Sequence, residues 1–281
     1  MTSFFPNMLD NFPNIASKVR PMAEFFLRSI LVFTLLGILL ASCNHAPPKR
    51  IKSDAPSEEK VPKAENQDVE IWPKRGNIKS YFTKYGDENP ERVVRLKTTL
   101  GDIDIELFED TPLHRANFIH HVKRGLYDRT IFYRVIPDFM IQGGNSDDDK
   151  TVERRKGVES YYIPSEVKKH HIHERGSVAM AMSYHNNPEN KSSQYDFYIV
   201  IGKTFNNNEL DATKEEYHYN FDENDRKIYK TKGGTPHLDG KHTVFGRVIK
   251  GMEIVEEIAR TDRDSGDWPI NDVVIDYQII E

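Results

Sequence analysis

Phe132-Tyr133-Arg134-Val135-Ile136-Pro137-Asp138-Phe139-Met140-Ile141-Gln142-Gly143-Gly144 is the stretch on which the reading of the chain turns. Two strands are expected between Ile131 and Gln142, closed by Gly143-Gly144. An arginine and a glutamine interleaved with Phe and Met suggest one functional face: an apolar pocket served by two convergent donors, Arg134 and Gln142. The plainer alternative is an edge strand with one solvated arginine, and spacing alone does not separate the two.

On either side of this stretch the strand signal repeats. Arg92 to Leu107 reads as a hairpin: Val94 and Leu96 alternate with charges, Leu100-Gly101-Asp102 turns, and D-I-D-I-E-L alternates again. A helix follows, with Thr111 expected as N-cap, Pro112 at its first position and Gly125 after its last turn. Leu113, Ala116, Ile119 and Val122 would line one face. Val178 to Met182, Phe197 to Ile201, Thr243 to Ile249 and Val273 to Ile279 read as further strands, and Met252 to Ala259 as a second helix. About eight short strands and two main capping helices predict a mainly β fold, a closed barrel that removes exposed sheet edges. Lys203 to Pro236 is polar and long for a connection, and a flexible loop is expected there.

The amino terminus reads differently. Arg20 and Arg28 precede the uncharged run S-I-L-V-F-T-L-L-G-I-L-L-A from Ser29 to Ala41, too short to span a bilayer, which needs about 20 residues. It matches the apolar region of a secretory signal, and the sole cysteine, Cys43, ends Leu40-Ala41-Ser42-Cys43. This resembles the lipobox of bacterial lipoproteins, which implies a signal peptide over 1–43 and acylation of Cys43. The long region before the run leaves Met8 and Met22 as alternative starts. Residues 44–76, rich in proline and mixed charge to about Glu70, are expected to be a disordered tether. Ile78, Tyr81, Phe82 and Tyr85 recur at helical spacing, so a flanking amphipathic helix is expected over 77–90 and the main domain over 91–281. With 281 residues, 37% hydrophobic, the chain can bury one core of ordinary size. Its net charge of -5 gives no electrostatic case for a nucleic-acid partner.

The decisive stretch resembles the cyclophilin signature F-H-R-V-I-P-x-F-M-I-Q-G-G. Gly176 to Ile199 is similar to the family's G-x-x-x-M-A…S-Q-F-F-I region, and Leu238 to Val248 to its L-D-G-K-H-x-V-F-G-x-V. Thr98 to Asp102, Thr111-Pro112 with Asn117-Phe118, and Ile163 to Glu166 also fit, so the likeness runs from about Val93 to the end. It implies a cyclophilin-like antiparallel barrel and a peptidyl-prolyl cis–trans isomerase, needing no cofactor and no metal. Rotation about an X–Pro amide has a barrier of about 20 kcal/mol. By resemblance Arg134 donates to the twisted amide and Gln142 orients it. Phe139, Met140 and Leu238 would cup the proline ring, with Ile136 beside it and His242 as a wall. Ala181, Met182 and Ser183 would line the groove for the residue before proline. The implied partners are proline-containing polypeptides, met by a monomer, and a membrane reached through the lipid. The implied location is the periplasm-facing envelope; Asn44, lacking the aspartate that retains lipoproteins at some inner membranes, favours the outer membrane.

Some positions depart from the family. Tyr133 replaces its histidine, His237 stands where many members have tryptophan, and Met182 replaces a groove asparagine. S-S-Q-Y-D-F-Y-I is two residues longer than S-Q-F-F-I. Either Asp196 or Gln194 is therefore the equivalent of the family's glutamine, with Tyr198 the choice for the pocket if the strand is regular. An aspartate there would pair with Arg134. Asp196 and the insertion favour a second function, a proline-peptide-binding chaperone or scaffold with little turnover. His170, His171 and His173 read as a solvated loop because no acidic or cysteine ligand stands at a suitable spacing. Asp147-Asp148-Asp149, lacking a calcium-loop pattern, reads as surface charge.

Overall fold

A computed structural model describes residues 72–281. The expected signal peptide, Cys43 and the tether through residue 71 lie outside the described residues. Eight antiparallel strands close into a barrel in the order β1-β2-β7-β5-β6-β4-β3-β8. They are β1 (Val93–Thr98), β2 (Gly101–Leu107), β3 (Thr130–Ile136), β4 (Met140–Asn145), β5 (Ser177–Met180), β6 (Phe197–Val200), β7 (Val244–Lys250) and β8 (Val273–Ile279). Period-two alternation fills the interior: Val94 and Leu96, Ile103, Ile105 and Leu107, Val178 and Met180, Phe197 and Ile199 all join one buried core. Closure leaves no unpaired edge in this sheet.

Six α-helices accompany the barrel among the described residues: α1 (Ile78–Glu88), α2 (Pro112–Lys123), α3 (Asp149–Lys156), α4 (Asn207–Tyr217), α5 (Glu223–Thr231) and α6 (Met252–Ala259). The two main expected helices are α2 and α6. Leu113 to His121 of α2 are all buried, because one side meets the barrel core and α1 covers another with Ile78 and Phe82. Thr111 makes no side-chain capping bond. The Glu166 carboxylate replaces it, accepting from the N–H groups of Leu113 at 3.1 Å and His114 at 2.9 Å and setting a negative charge at the helix start.

Two expectations are corrected. Residues 203–236 fold as α4 and α5, each begun by a reciprocal capping box: Asn206 with Glu209, and Asp222 with Asp225. Their small core joins Leu210, Phe221 and Tyr229 to Ile172. The tether does not run to residue 76: Trp72 meets the His120 ring edge-on at 5.6 Å, and Pro73 is buried. Asp147 and Asp149 are exposed, and Asp148 between them is the N-cap of α3, accepting from the Thr151 N–H at 3.1 Å.

The α1–α2 contact has a chemical consequence. Trp72, Tyr81, Phe82 and Tyr85 surround the His120 ring. His121 Nε2 donates to the Gln194 carbonyl at 3.0 Å, so its Nδ1 is left to accept from His120 Nδ1 at 3.4 Å. His120 Nε2 then faces aromatic carbon without a partner. Burial pushes His120 down to about 4 and His121 well below its ordinary value of 6.5. Both rings are neutral in the fold, so below pH 6.5 the unfolded chain binds more protons. Stability is complete above that value and falls as pH drops toward 4. Urea titrations from pH 7 to 4.5 should show unfolding coupled to proton uptake, with about two of the protons going to His120 and His121, and His120→Phe should remove about one of them. A pH-independent unfolding free energy across this window would contradict the assignment.

Candidate active site

The residues singled out in the sequence gather on the outer face of the barrel wall. Arg134 of β3 opposes Gln142 of β4, Gln142 opposes Tyr198 of β6, and Tyr198 opposes Ala179 of β5. Opposed residues share a face, so these four form one rung. Ile136, Met140 and Val200 form the next. Their chain neighbours Val135, Ile141, Ile199 and Val178 turn the other way, into the core. Arg134 owes its side to a bulge. The register shifts between Phe132 and Arg134, so Phe132 and Val135, three apart, both enter the core with Tyr133 as the extra residue.

Met140, Ala179, Tyr198, Val200, Leu238 and Val244 form a second apolar cluster, with Ile136, Phe139, Ala181 and Phe108 packed against it. This is a cup, and Arg134 and Gln142 stand on the strands beside it. Leu238 and His237 come from a 3-10 turn, Pro236–Leu238. His237 stacks on Phe139 at 5.5 Å and lies 5.7 Å from Tyr217 of α4, so the insertion supplies part of the rim. His242 Nδ1 lies 3.3 Å from the Met180 carbonyl, leaving Nε2 to accept from the Tyr184 hydroxyl at 2.7 Å. Burial pushes His242 down to about 3 and His237 to about 4. Ala181 is held on both sides, its N–H donating to the Asp196 carbonyl at 2.8 Å and its carbonyl accepting from Ser193 N–H at 2.7 Å. Met182 beyond it is half-buried and Ser183 exposed.

The two candidate equivalents of the family glutamine separate. The regular strand expected through Gln194 is absent: β6 begins at Phe197. Gln194 is buried elsewhere, its side chain accepting from Tyr161 N–H and donating to the Tyr195 hydroxyl, and its carbonyl accepting from Asn117. Asp196 accepts from Ser193 Oγ at 2.7 Å and from the Tyr133 hydroxyl at 3.2 Å. That hydroxyl in turn accepts from Gln142 Nε2 at 2.5 Å. The carboxylate that pairs with the Arg134 guanidinium is that of Asp267, 3.6 Å away, where Asp196 was expected. Asp267 and Trp268, whose ring lies 5.8 Å from Tyr133, had no signal in the sequence beyond a turn-like D-S-G-D-W-P.

Below the cup runs a buried polar chain. The Tyr198 hydroxyl meets His173 Nε2 at 3.0 Å, and His173 Nδ1 meets Asp239 Oδ1 at 2.8 Å. Asp239 also accepts from His173 N–H at 2.8 Å and from the Tyr229 hydroxyl of α5 at 2.6 Å. His173 is thus an interior residue, parted from the exposed His170. Asp239→Asn keeps the shape and removes acceptor capacity, so it should lower stability by about 2–3 kcal/mol and release α4–α5 to proteolysis. A melting temperature and cleavage pattern like wild type would refute the coupling.

A family model described as cyclophilin type peptidyl-prolyl cis-trans isomerase/CLD matches residues 93–278. A Staphylococcus haemolyticus protein is 36% identical over 198 residues, 69% of this chain and 93% of its own length. A Staphylococcus aureus (strain USA300) protein is 38% identical over 192 residues, 67% of this chain and 91% of its own. Both bear the name peptidyl-prolyl cis-trans isomerase by assignment. The crystal structure of a Cryptosporidium parvum cyclophilin type peptidyl-prolyl cis-trans isomerase, in the presence of the dipeptide Ala-Pro, aligns with a TM-score of 0.49 at 22% identity, over 68% of this chain and 99% of that one. Strand order, signature and relatives agree: this chain belongs to the cyclophilin-type peptidyl-prolyl cis–trans isomerase family.

Proposed function

We propose that the chain accelerates X–Pro rotation in proteins that have crossed the cytoplasmic membrane, acting from a lipid on Cys43, with Arg134 as the group that meets the twisted amide. The observation that carries the second part is the bulge at Tyr133, which turns a guanidinium out of the core onto the rung of Gln142 and Tyr198. As the C–N bond twists, resonance is lost and the proline nitrogen becomes a pyramidal acceptor. A guanidinium, always charged and only a donor, binds that form better than either planar isomer. The prolyl ring would sit against Phe139, Met140, Tyr198 and Leu238. The bonds from Gln142 to Tyr133 and from Tyr133 to Asp196 hold the Gln142 amide in one orientation beside Arg134. No bond is broken, so no proton transfer is asked of His242. Lipid anchoring rests on the run ending at Cys43; among the described residues no helix is long and apolar enough to cross a membrane.

One observation favours the second reading, a proline-peptide-binding module. The Arg134–Asp267 pair occupies the guanidinium that substrate would need. Both side chains are about one-third exposed, at 29% and 33%. A pair so placed is worth at most about 1 kcal/mol, which substrate contacts can displace. Arg134→Ala should lower kcat/KM about a hundredfold, roughly 3 kcal/mol, with far smaller loss of peptide affinity. Arg134→Lys should not restore the rate, since a point charge lacks the planar fork. Protease-coupled assays decide: turnover untouched by Arg134→Ala refutes the mechanism, and peptide binding without turnover in wild type establishes the binding module.

The anchor has its own measurement. Cys43→Ser should leave an unprocessed chain that takes up no palmitate label in bacterial cells. Normal labelling of that variant would end the lipoprotein reading.

A further inference from the structure

We propose that Asp110, His170 and His171 form a binding site for a divalent transition-metal ion of the zinc class. Asp110 lies in the turn between β2 and α2, and the histidines lie 60 residues further on, in the segment leading to β5. The turn at Lys168–His171, closed by His171 N–H donating to the Lys168 carbonyl at 3.2 Å, brings both imidazoles to one side, with centroids 4.2 Å apart. Both aim Nε2 at one carboxylate: His170 stands 2.9 Å from Oδ2 and His171 2.8 Å from Oδ1.

The three ligand atoms all lie within 4.8 Å of one another. Ligands of a tetrahedral zinc at bonds of about 2.0 Å stand roughly 3.3 Å apart, so small side-chain rotations suffice. As hydrogen bonds, the two contacts require a proton on each Nε2, and both must converge on one carboxylate. A cation takes the place of both protons. Two imidazoles and a carboxylate suit zinc, nickel, cobalt or copper, whereas magnesium and calcium demand oxygen.

The surroundings favour a cation. His171 is part-buried and its ring stacks on Phe108 at 4.1 Å, so one ligand is pre-positioned. The neighbouring arginines are engaged, Arg92 by Glu109 at 3.0 Å and Arg247 by Glu106 at 2.7 Å. His170 and Asp110 are exposed, which leaves coordination positions for water. Phe108 also packs against the apolar cup, so the site abuts it.

Calorimetric titration of the untagged, metal-stripped full chain with zinc chloride tests this. Saturable binding should appear with zinc and not with magnesium chloride. D110N and H171A should each weaken zinc binding at least about tenfold, while H185A, an exposed histidine elsewhere, should leave it unchanged. Zinc should raise the melting temperature of wild type and leave that of D110N unmoved, circular dichroism establishing that each variant is folded. Wild type that binds no zinc, or zinc affinity equal in wild type, D110N and the H170A/H171A double variant, would overturn the site.

Discussion

A closed barrel offers a strand residue two destinations, the core or the outer face, and the bulge at Tyr133 decides which one Arg134 takes. In an unbroken strand Phe132 and Arg134 would share a face. Either the guanidinium would enter the apolar core, at several kcal/mol for an unpaired buried charge, or Phe132 would lose its place there. One extra residue resolves the conflict, and the pairing then carries Gln142 and Tyr198 to the same side. The extra residue is itself satisfied, its hydroxyl bridging Gln142 and Asp196. The paired glycines of the signature belong to the same accommodation. At Gly144 φ is +108°, and a Cβ there would stand 2.2 Å from the Tyr195 carbonyl oxygen, where the chain entering β6 presses against β4.

The insertion is part of this arrangement. In a low-dielectric interior a polar string is stable only when every member is paired, and Tyr198, His173, Asp239 and Tyr229 pair end to end. A hydroxyl on the cup residue Tyr198 therefore requires His173 beneath it, and through Asp239 it reaches a helix of residues 203–236. Gly234 permits the close approach: at φ +151° it passes the His173 carbonyl, where a Cβ would lie 2.2 Å from the oxygen. The rim contact from Tyr217 to His237 to Phe139 is a second link between the same two parts.

What could be read in the sequence was local, and what could not was set by distance along the chain. Alternation and turn glycines placed all eight strands, and Pro112 with Gly125 bracketed α2, because those signals lie within a few residues of what they govern. The cap on α2 was missed because Glu166 arrives from 53 residues away. Asp267 beside Arg134 and Asp110 beside His170 are likewise long-range. The bulge was invisible for another reason: it is a relation between β3 and β4, and Phe132-Tyr133-Arg134 alone carries no mark of it. The α4 and α5 helices were legible in part. Asn206 with Glu209 and Asp222 with Asp225 have capping-box spacing, yet few apolar residues follow them, and polarity outweighed the caps. Their shared core needs Ile172, which only the fold supplies.

The remaining constraint on the cup is electrostatic. His237 and His242 stand at its wall, and burial holds them neutral, with values of about 4 and 3. An imidazole charging near pH 6 would place a cation at the cup wall and change how the cup treats a polar substrate backbone as pH varied. Here that does not happen in the neutral range, because His242 is buried and fixed as one tautomer between Met180 and Tyr184, and His237 is packed against Phe139 and Tyr217. For a reaction that moves no proton, a titrating wall would bring pH dependence without catalytic gain. The same packing that shapes the apolar cup keeps both wall histidines uncharged, so the cup wall adds no positive charge in the neutral range.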